Sequence, residues 1–317
     1  MDMTENMLGL FEYYNTSEET NRRLKKLANK ISEHEKNYEP KSCTIDSCED
    51  PPVSSHEISS GAFLLPIANK DKKVIRIIRN FRGNFRHLSF KPEHIDNSTT
   101  FPGFCSEHDR ELFKSFEEGD LEISMDFVQK QCYRTLAKKC YELKRELSLL
   151  HDLLDDESFE DWSAIIPQLI KGQKRNLKIY NKKLKLLYQG ICKQRRVMHY
   201  SACEIPRKKI AYADMIFEKC AALAGFSVFH FIIIVNVKQS THCITATFDN
   251  FISRKLMEDY LIEPPVGNLR LNKWILQRKE NLIVSDEYLG GLSSTELTCL
   301  KDDNKILGNI CTPNFLG

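Results

Sequence analysis

The chain has 317 residues, of which 41% are hydrophobic and 28% charged, with a net charge of +2. That length suits about two domains with an ample core and excludes a chain too small or too polar to fold. A near-neutral total does not bear on a nucleic-acid partner, so only the distribution of charge along the chain can.

Residues 1–36 read as an N-terminal amphipathic helix. Leu24, Leu27 and Ile31 form its apolar stripe, and Arg22, Arg23, Lys25, Lys26 and Lys30 its basic face, suited to docking on the rest of the chain or on a partner. Residues 37–120 form a second unit. Its start is rich in Pro, Ser, Asp and Cys, with Pro40, Pro51 and Pro52 breaking regular structure. A short apolar segment follows, then a turn at Asn69–Lys73 and a strand through Val74–Ile78. The stretch from Arg82 to Gly103 reads as loop.

Residues 121–195 carry two heptad-like stripes. One runs through Leu136, Cys140, Leu143, Leu147, Leu150 and Leu154, the other through Ile170, Leu177, Leu184, Leu187 and Ile191. Each predicts a long helix, and the short break at Asp155–Trp162 lets the pair fold back as an antiparallel hairpin. Its seams are also available to another copy or a protein partner. In residues 196–317, Ile210–Gly225 reads as an alanine-rich helix, while Phe226–Val237 and His242–Asn250 read as β-rich segments about a polar turn. Two more short strands are expected within Gly267–Asp286. The fold class is therefore α+β: a small N-terminal module, a helical hairpin, and a C-terminal α+β domain with an antiparallel sheet.

Eleven cysteines spread along such a chain fit reduced thiols better than a disulfide framework, and "MDMTENMLGLFEYY" lacks the basic start of a secretory signal. A cytoplasmic location follows as the expectation. The most hydrophobic run, Phe226–Val237, is too short to span a bilayer as a helix, so no membrane partner is expected.

Soft ligands gather between Lys41 and Glu118 in polar, turn-rich sequence that needs no core residues. They are Cys43, Cys48, His56 and the Cys-x-x-His pair Cys105 and His108. Short local pairs separated by a long connection suit tetrahedral zinc. Between them, Lys72, Lys73, Arg76, Arg79, Arg82, Arg86 and Lys91 occur without an acidic residue, interleaved with Phe81, Phe85 and Phe90. Arginines can neutralise phosphates and phenylalanines can stack bases, which suits DNA or RNA. His199, Cys203 and Glu204 read as surface or local packing, and no carboxylate can be assigned to orient a Cys243–His nucleophile.

Taken in order, Cys43–Cys48, Ser55–His56–Glu57–Ile58 and Cys105–Ser106–Glu107–His108 resemble HNH-type, treble-clef zinc modules. The phrase "PGFCSEHDRELF" is also similar to uncharacterised bacterial proteins, some encoded near phage-defence genes. The resemblance spans about 80 residues. It implies that Cys43, Cys48, Cys105 and His108 hold a structural zinc, and that His56 activates water beside a second divalent metal such as Mg2+. One departure is plain: Ser55 stands where the pattern has an Asp or Glu to orient the histidine. Two functions follow. One is metal-dependent nucleic-acid cleavage by a degenerate HNH-like module in antiviral defence. The other is a non-enzymatic, zinc-stabilised nucleic-acid-binding or assembly subunit.

Overall fold

A computed structural model describes residues 18–82, 85–117, 121–206, 208–220, 226–249 and 274–301. The elements in chain order begin with α1 (Glu18–Asn37), β1 (Val53–His56), β2 (Lys73–Arg82), β3 (Phe85–His94) and β4 (Thr100–Phe104). The helices α2 (Ser106–Glu117), α3 (Met125–Leu154) and α4 (Ile166–Cys192) follow. Strands β5 (Met198–Pro206), β6 (Ile210–Cys220), β7 (Phe226–Val237), β8 (Ser240–Phe248) and β9 (Leu282–Val284) precede the short helices α5 (Asp286–Gly290) and α6 (Ser294–Lys301). The chain is α+β with antiparallel sheets.

Strands β1 and β4 form a two-stranded antiparallel ladder in which His56 faces Thr100 and Val53 faces Phe104. The connection between these strands is long enough to contain β2 and β3. Those two belong to a seven-stranded sheet of order β3-β2-β9-β6-β7-β8-β5, so the 37–120 segment enters the same sheet as the 196–317 segment. The join is Ile75 opposite Val284, with Ile210 on the other side of Val284.

Two sequence expectations change here. In the stretch read as loop, Thr100–Phe104 is a strand, and so is Phe85–His94. It pairs with β2 along its whole length and lies at the sheet edge, where Pro92 and its basic residues are tolerated because one row of backbone groups needs no partner. Ile210–Cys220 is also a strand rather than a helix. Ala211, Ala213 and Met215 face the core that includes Leu136 and Cys140 of α3, while Ile210 and Tyr212 join the core on the opposite face. Burial on both faces erases the polar alternation that marks a half-exposed strand. In the 267–286 region, residues 267–273 lie outside the described residues. Beyond them, β9 is the one strand, preceded by a helical turn carrying buried Trp274 and Ile275.

Helix α3 starts at Ser124, whose hydroxyl accepts from the Phe127 amide. Along α3 and α4 the facing pairs run in opposite order: Tyr133 stacks on Tyr188, and Gln173 donates to Glu146 at 3.1 Å. Leu136 and Leu184 are buried, while Leu143 and Leu177 are half-buried. Leu27 and Ile31 of α1 close a third apolar cluster with Leu150, Leu153, Phe159 and Trp162. Lys30 pairs with Asp156, fixing α1 to the turn between α3 and α4. Leu24 lies among side chains outside the described set.

Candidate metal centre

The centre is built from two chain segments that meet beside the β1–β4 ladder. In the first, the Cys43 amide donates to the Asp50 carbonyl at 2.9 Å and the Cys48 amide to the Ile45 carbonyl at 3.1 Å, giving a tight knuckle. Ser47 takes a left-handed φ of 70° at its tip. Both the amide and the hydroxyl of Thr44 donate to the Gly103 carbonyl, at 2.9 and 2.6 Å. Those bonds tie the knuckle to β4. Gly103 has little freedom to change, since a Cβ there would lie 2.3 Å from the Phe101 ring.

The second segment is the first turn of α2. The Cys105 carbonyl accepts from the Asp109 amide at 2.9 Å, so Cys105 caps the helix and His108 lies three residues on, over the same face. Behind it, Phe104 meets the rings of Phe113 and Tyr133 at 5.2 and 5.6 Å between centroids. The polar site therefore rests on an aromatic floor.

These segments bring Cys43, Cys48, Cys105 and His108 together, with one ligand atom from each lying within 4.8 Å of all the others. The Sγ atoms of Cys48 and Cys105 are 3.8 Å apart, and Nδ1 of His108 is 3.7 Å from Cys43 Sγ and 3.1 Å from Cys105 Sγ. Zinc–sulfur bonds of about 2.3 Å and a zinc–nitrogen bond of about 2.0 Å give a tetrahedron with edges near 3.5–3.8 Å. The donor set could hold a metal such as zinc, and the Cys48–Cys105 and Cys43–His108 separations match those edges. Without a cation, burial and the neighbouring sulfurs of Cys105 and Cys43 push the Cys48 thiol up to about 12. A divalent cation reverses that balance by stabilising the thiolates.

His56 is placed elsewhere. It lies at the far end of β1, opposite Thr100, and Thr100 is four residues before Phe104, or about 13 Å along the strand. Its Nδ1 is 3.0 Å from the Ser98 carbonyl, which fixes the proton on Nδ1 and leaves a lone pair on Nε2. Burial holds its pKa below the usual imidazole value, with the Ser98 carbonyl opposing, Arg134 acting in the same direction as burial, and Asp109 and Asp96 opposing more weakly. Ser55 is buried and its hydroxyl accepts from the Phe104 amide at 3.4 Å, so it serves the ladder. Among the described residues, the Cys3His group is the only cluster of three or more His, Cys, Asp or Glu residues able to hold a metal.

The basic run lies mainly on β2 and β3. Arg76 donates to Glu93 at 2.9 Å and Lys91 lies 3.7 Å from the same carboxylate, so both have a local counter-ion. Lys72 sits at a turn with φ of 53°, and Lys72 and Lys73 are exposed. The side chains of Arg79, Arg82 and Arg86 lie outside the described set.

Two features escaped the sequence reading. Glu57, next to His56, is fully buried and receives Lys138 of α3 at 2.5 Å, while its backbone carbonyl accepts from Gln131 at 2.8 Å. Nothing in its local sequence signals burial, because its partners are more than seventy residues away. The second is a groove of about 690 Å³ between the knuckle and α4, lined by Thr44, Asp46, Tyr188 and several lysines. The lysines come from α3 and α4, and their concave setting depends on the knuckle.

No family model, curated protein or solved structure matches this chain. Among the described residues, no helix is long and apolar enough to cross a membrane.

Proposed function

We propose that this chain is a zinc-stapled nucleic-acid-binding protein whose 43–117 segment is a degenerate, HNH-like treble clef. The observation that carries this reading is the Cys3His group: a knuckle, an antiparallel ladder and the first turn of a helix together supply four soft ligands at tetrahedral spacing. Zinc held by three thiolates and one imidazole has all four positions filled by protein. Such a centre is structural, with no open position for water or substrate. Its role is to fix the knuckle against β4 and α2, and its binding energy is folding energy. The helices α3 and α4, read as an antiparallel hairpin, form the scaffold against which it is held. The basic strands β2 and β3 offer a phosphate-facing surface.

The test joins metal analysis to binding. Purified protein should hold one equivalent of zinc and bind oligonucleotides with an affinity that falls as salt rises. Less than about half an equivalent in carefully prepared protein removes the zinc centre. Zinc-replete protein that binds neither DNA nor RNA removes the nucleic-acid role.

A second reading, cleavage through His56, draws support from the Nδ1 contact to Ser98 and the lowered pKa, which suit a general base at neutral pH. Ser55 in place of a carboxylate weighs against it. His56→Ala should keep its zinc and fold. A metal-dependent nuclease activity present in the parent and absent from this variant would select the catalytic reading.

A further inference from the structure

Helix α4 carries Lys174, Lys178, Lys182 and Lys185 at roughly one per turn, about 5–6 Å apart along its axis. These four and Lys144 of α3 line the groove of about 690 Å³ that opens between α4 and the knuckle. One carboxylate lines it too: Asp46, 3.3 Å from Lys185. Elsewhere, Lys30, Lys91, Lys130, Lys138, Lys139 and Lys209 each meet a carboxylate. Lys144, Lys174, Lys178 and Lys182 are exposed and meet none among the described residues. Four cations left without counter-ions along one concave face form a strong local positive field. The groove also includes Tyr133 and the half-buried Tyr188, stacked on each other with centroids 5.9 Å apart.

We infer that this groove binds the backbone of single-stranded nucleic acid, with the α4 lysines along the phosphates and Tyr188 offering a surface for a base. This deepens the nucleic-acid reading above and rests on it. A lysine on each turn matches a strand laid along the helix, and a charged groove with an aromatic wall is how single strands are held without sequence preference. The zinc knuckle supplies the opposite wall through Thr44 and Asp46, which lie between the ligands Cys43 and Cys48. Metal binding and strand binding are thereby linked: the cation shapes the groove without touching the ligand.

The test replaces Lys144, Lys174, Lys178 and Lys182 together with glutamine, leaving the Lys185–Asp46 pair in place. Anisotropy titrations use labelled single strands of about twenty nucleotides, the matching duplex and a poly-glutamate peptide. The intact protein should prefer the single strand. The variant, with its zinc content and melting temperature unchanged, should bind at least tenfold more weakly near 0.1 M salt, and its log–log salt slope should fall by about 3, from ~0.7 per lost contact. Cross-linked peptides from intact protein on a photoreactive strand should fall within 174–189, a readout that stands even where the variant folds poorly. Equal affinity and slope in a zinc-replete variant, or cross-links confined to other segments, overturn the groove and leave nucleic-acid binding standing elsewhere. Equal or better binding of the duplex or of poly-glutamate overturns the assigned occupant. If zinc-replete parent binds no nucleic acid, the underlying reading falls together with this one.

Discussion

Lys138→Met is the most informative perturbation of the scaffold. The Glu57 carboxylate is 2% exposed and Lys138 is its close cationic partner at 2.5 Å. Removing that cation strands a charge in the core, which costs about 3–5 kcal/mol, a large share of the ~5–15 kcal/mol that holds a typical protein folded. Burial already raises the Glu57 pKa, while Lys138 and then Lys139 pull it down. A carboxyl raised on folding holds its proton more tightly in the native state. Its stability penalty is therefore absent below the ordinary carboxylate pKa and complete above the folded one. Lys138→Met removes a lowering influence, moves the folded value further up and extends that window towards neutral pH. Urea unfolding of zinc-replete protein should accordingly show the full cost near pH 7 and a smaller one near pH 5. Comparing parent and variant at each pH cancels the metal's own pH dependence. In a Glu57→Gln background the same substitution should cost less than about 1 kcal/mol, since the Glu57 charge is gone and Glu142, 3.9 Å from Lys138, keeps its closer partner Lys139 at 3.0 Å. A cost that is equal in both backgrounds, or indifferent to pH, would refute the ion-pair account.

Four further outcomes are expected. Cys43→Ser and Cys105→Ser should each lower zinc content and unfolding midpoint together, measured by elemental analysis and thermal melts; loss of one without the other breaks the structural role. Leu136→Ala should cost about 2–5 kcal/mol in denaturant unfolding, and Leu143→Ala clearly less, because Leu136 is fully buried and Leu143 only partly. Neutralising Arg79, Arg82 and Arg86 together should weaken oligonucleotide binding and flatten its salt dependence; an unchanged slope removes the β2–β3 hairpin from the binding surface. Cys203 lies directly across from Cys243, whose hydrogen bond brings the Cys203 thiol down to about 7, so its alkylation rate should rise with a midpoint near that pH. A Cys243→Ala variant should return the midpoint towards the ordinary thiol value of about 8.5.

The meeting of Cys43, Cys48, Cys105 and His108 was legible because cysteine and histidine in polar turns have little other use there, and because Cys105 and His108 carry helix-start spacing. The two long helices were legible from their period. The β6 strand was not: its alternation separates one buried face from another, and Ala211 and Ala213 are small where the sheet packs against α3. Asp214 shows the same limit from the polar side. It is fully buried between Tyr212, Trp274 and Arg278, with Lys139 at 3.3 Å, a set of partners that only tertiary structure assembles. The lysine groove was not legible, because the wall that makes it concave comes from a loop more than a hundred residues before α4.

The position of the Cys3His group would, with the proposed zinc bound, bear on how the protein is made. Cys48 and Cys105 are separated by 57 residues, and the segment between them contains β2 and β3, the outermost pair of the large sheet. A cross-link across a loop of that length removes about 4 kcal/mol of chain entropy from the unfolded state on the loop-closure account. A bound ion would thus work at a distance, making it easier for β2 to find β9, a three-residue strand with little ladder of its own to offer. A chain synthesised under zinc starvation would be slow to seat this hairpin, leaving β9 and β6 as an open edge. Exposed strand edges recruit other chains, so metal shortage would be expected to show itself as self-association.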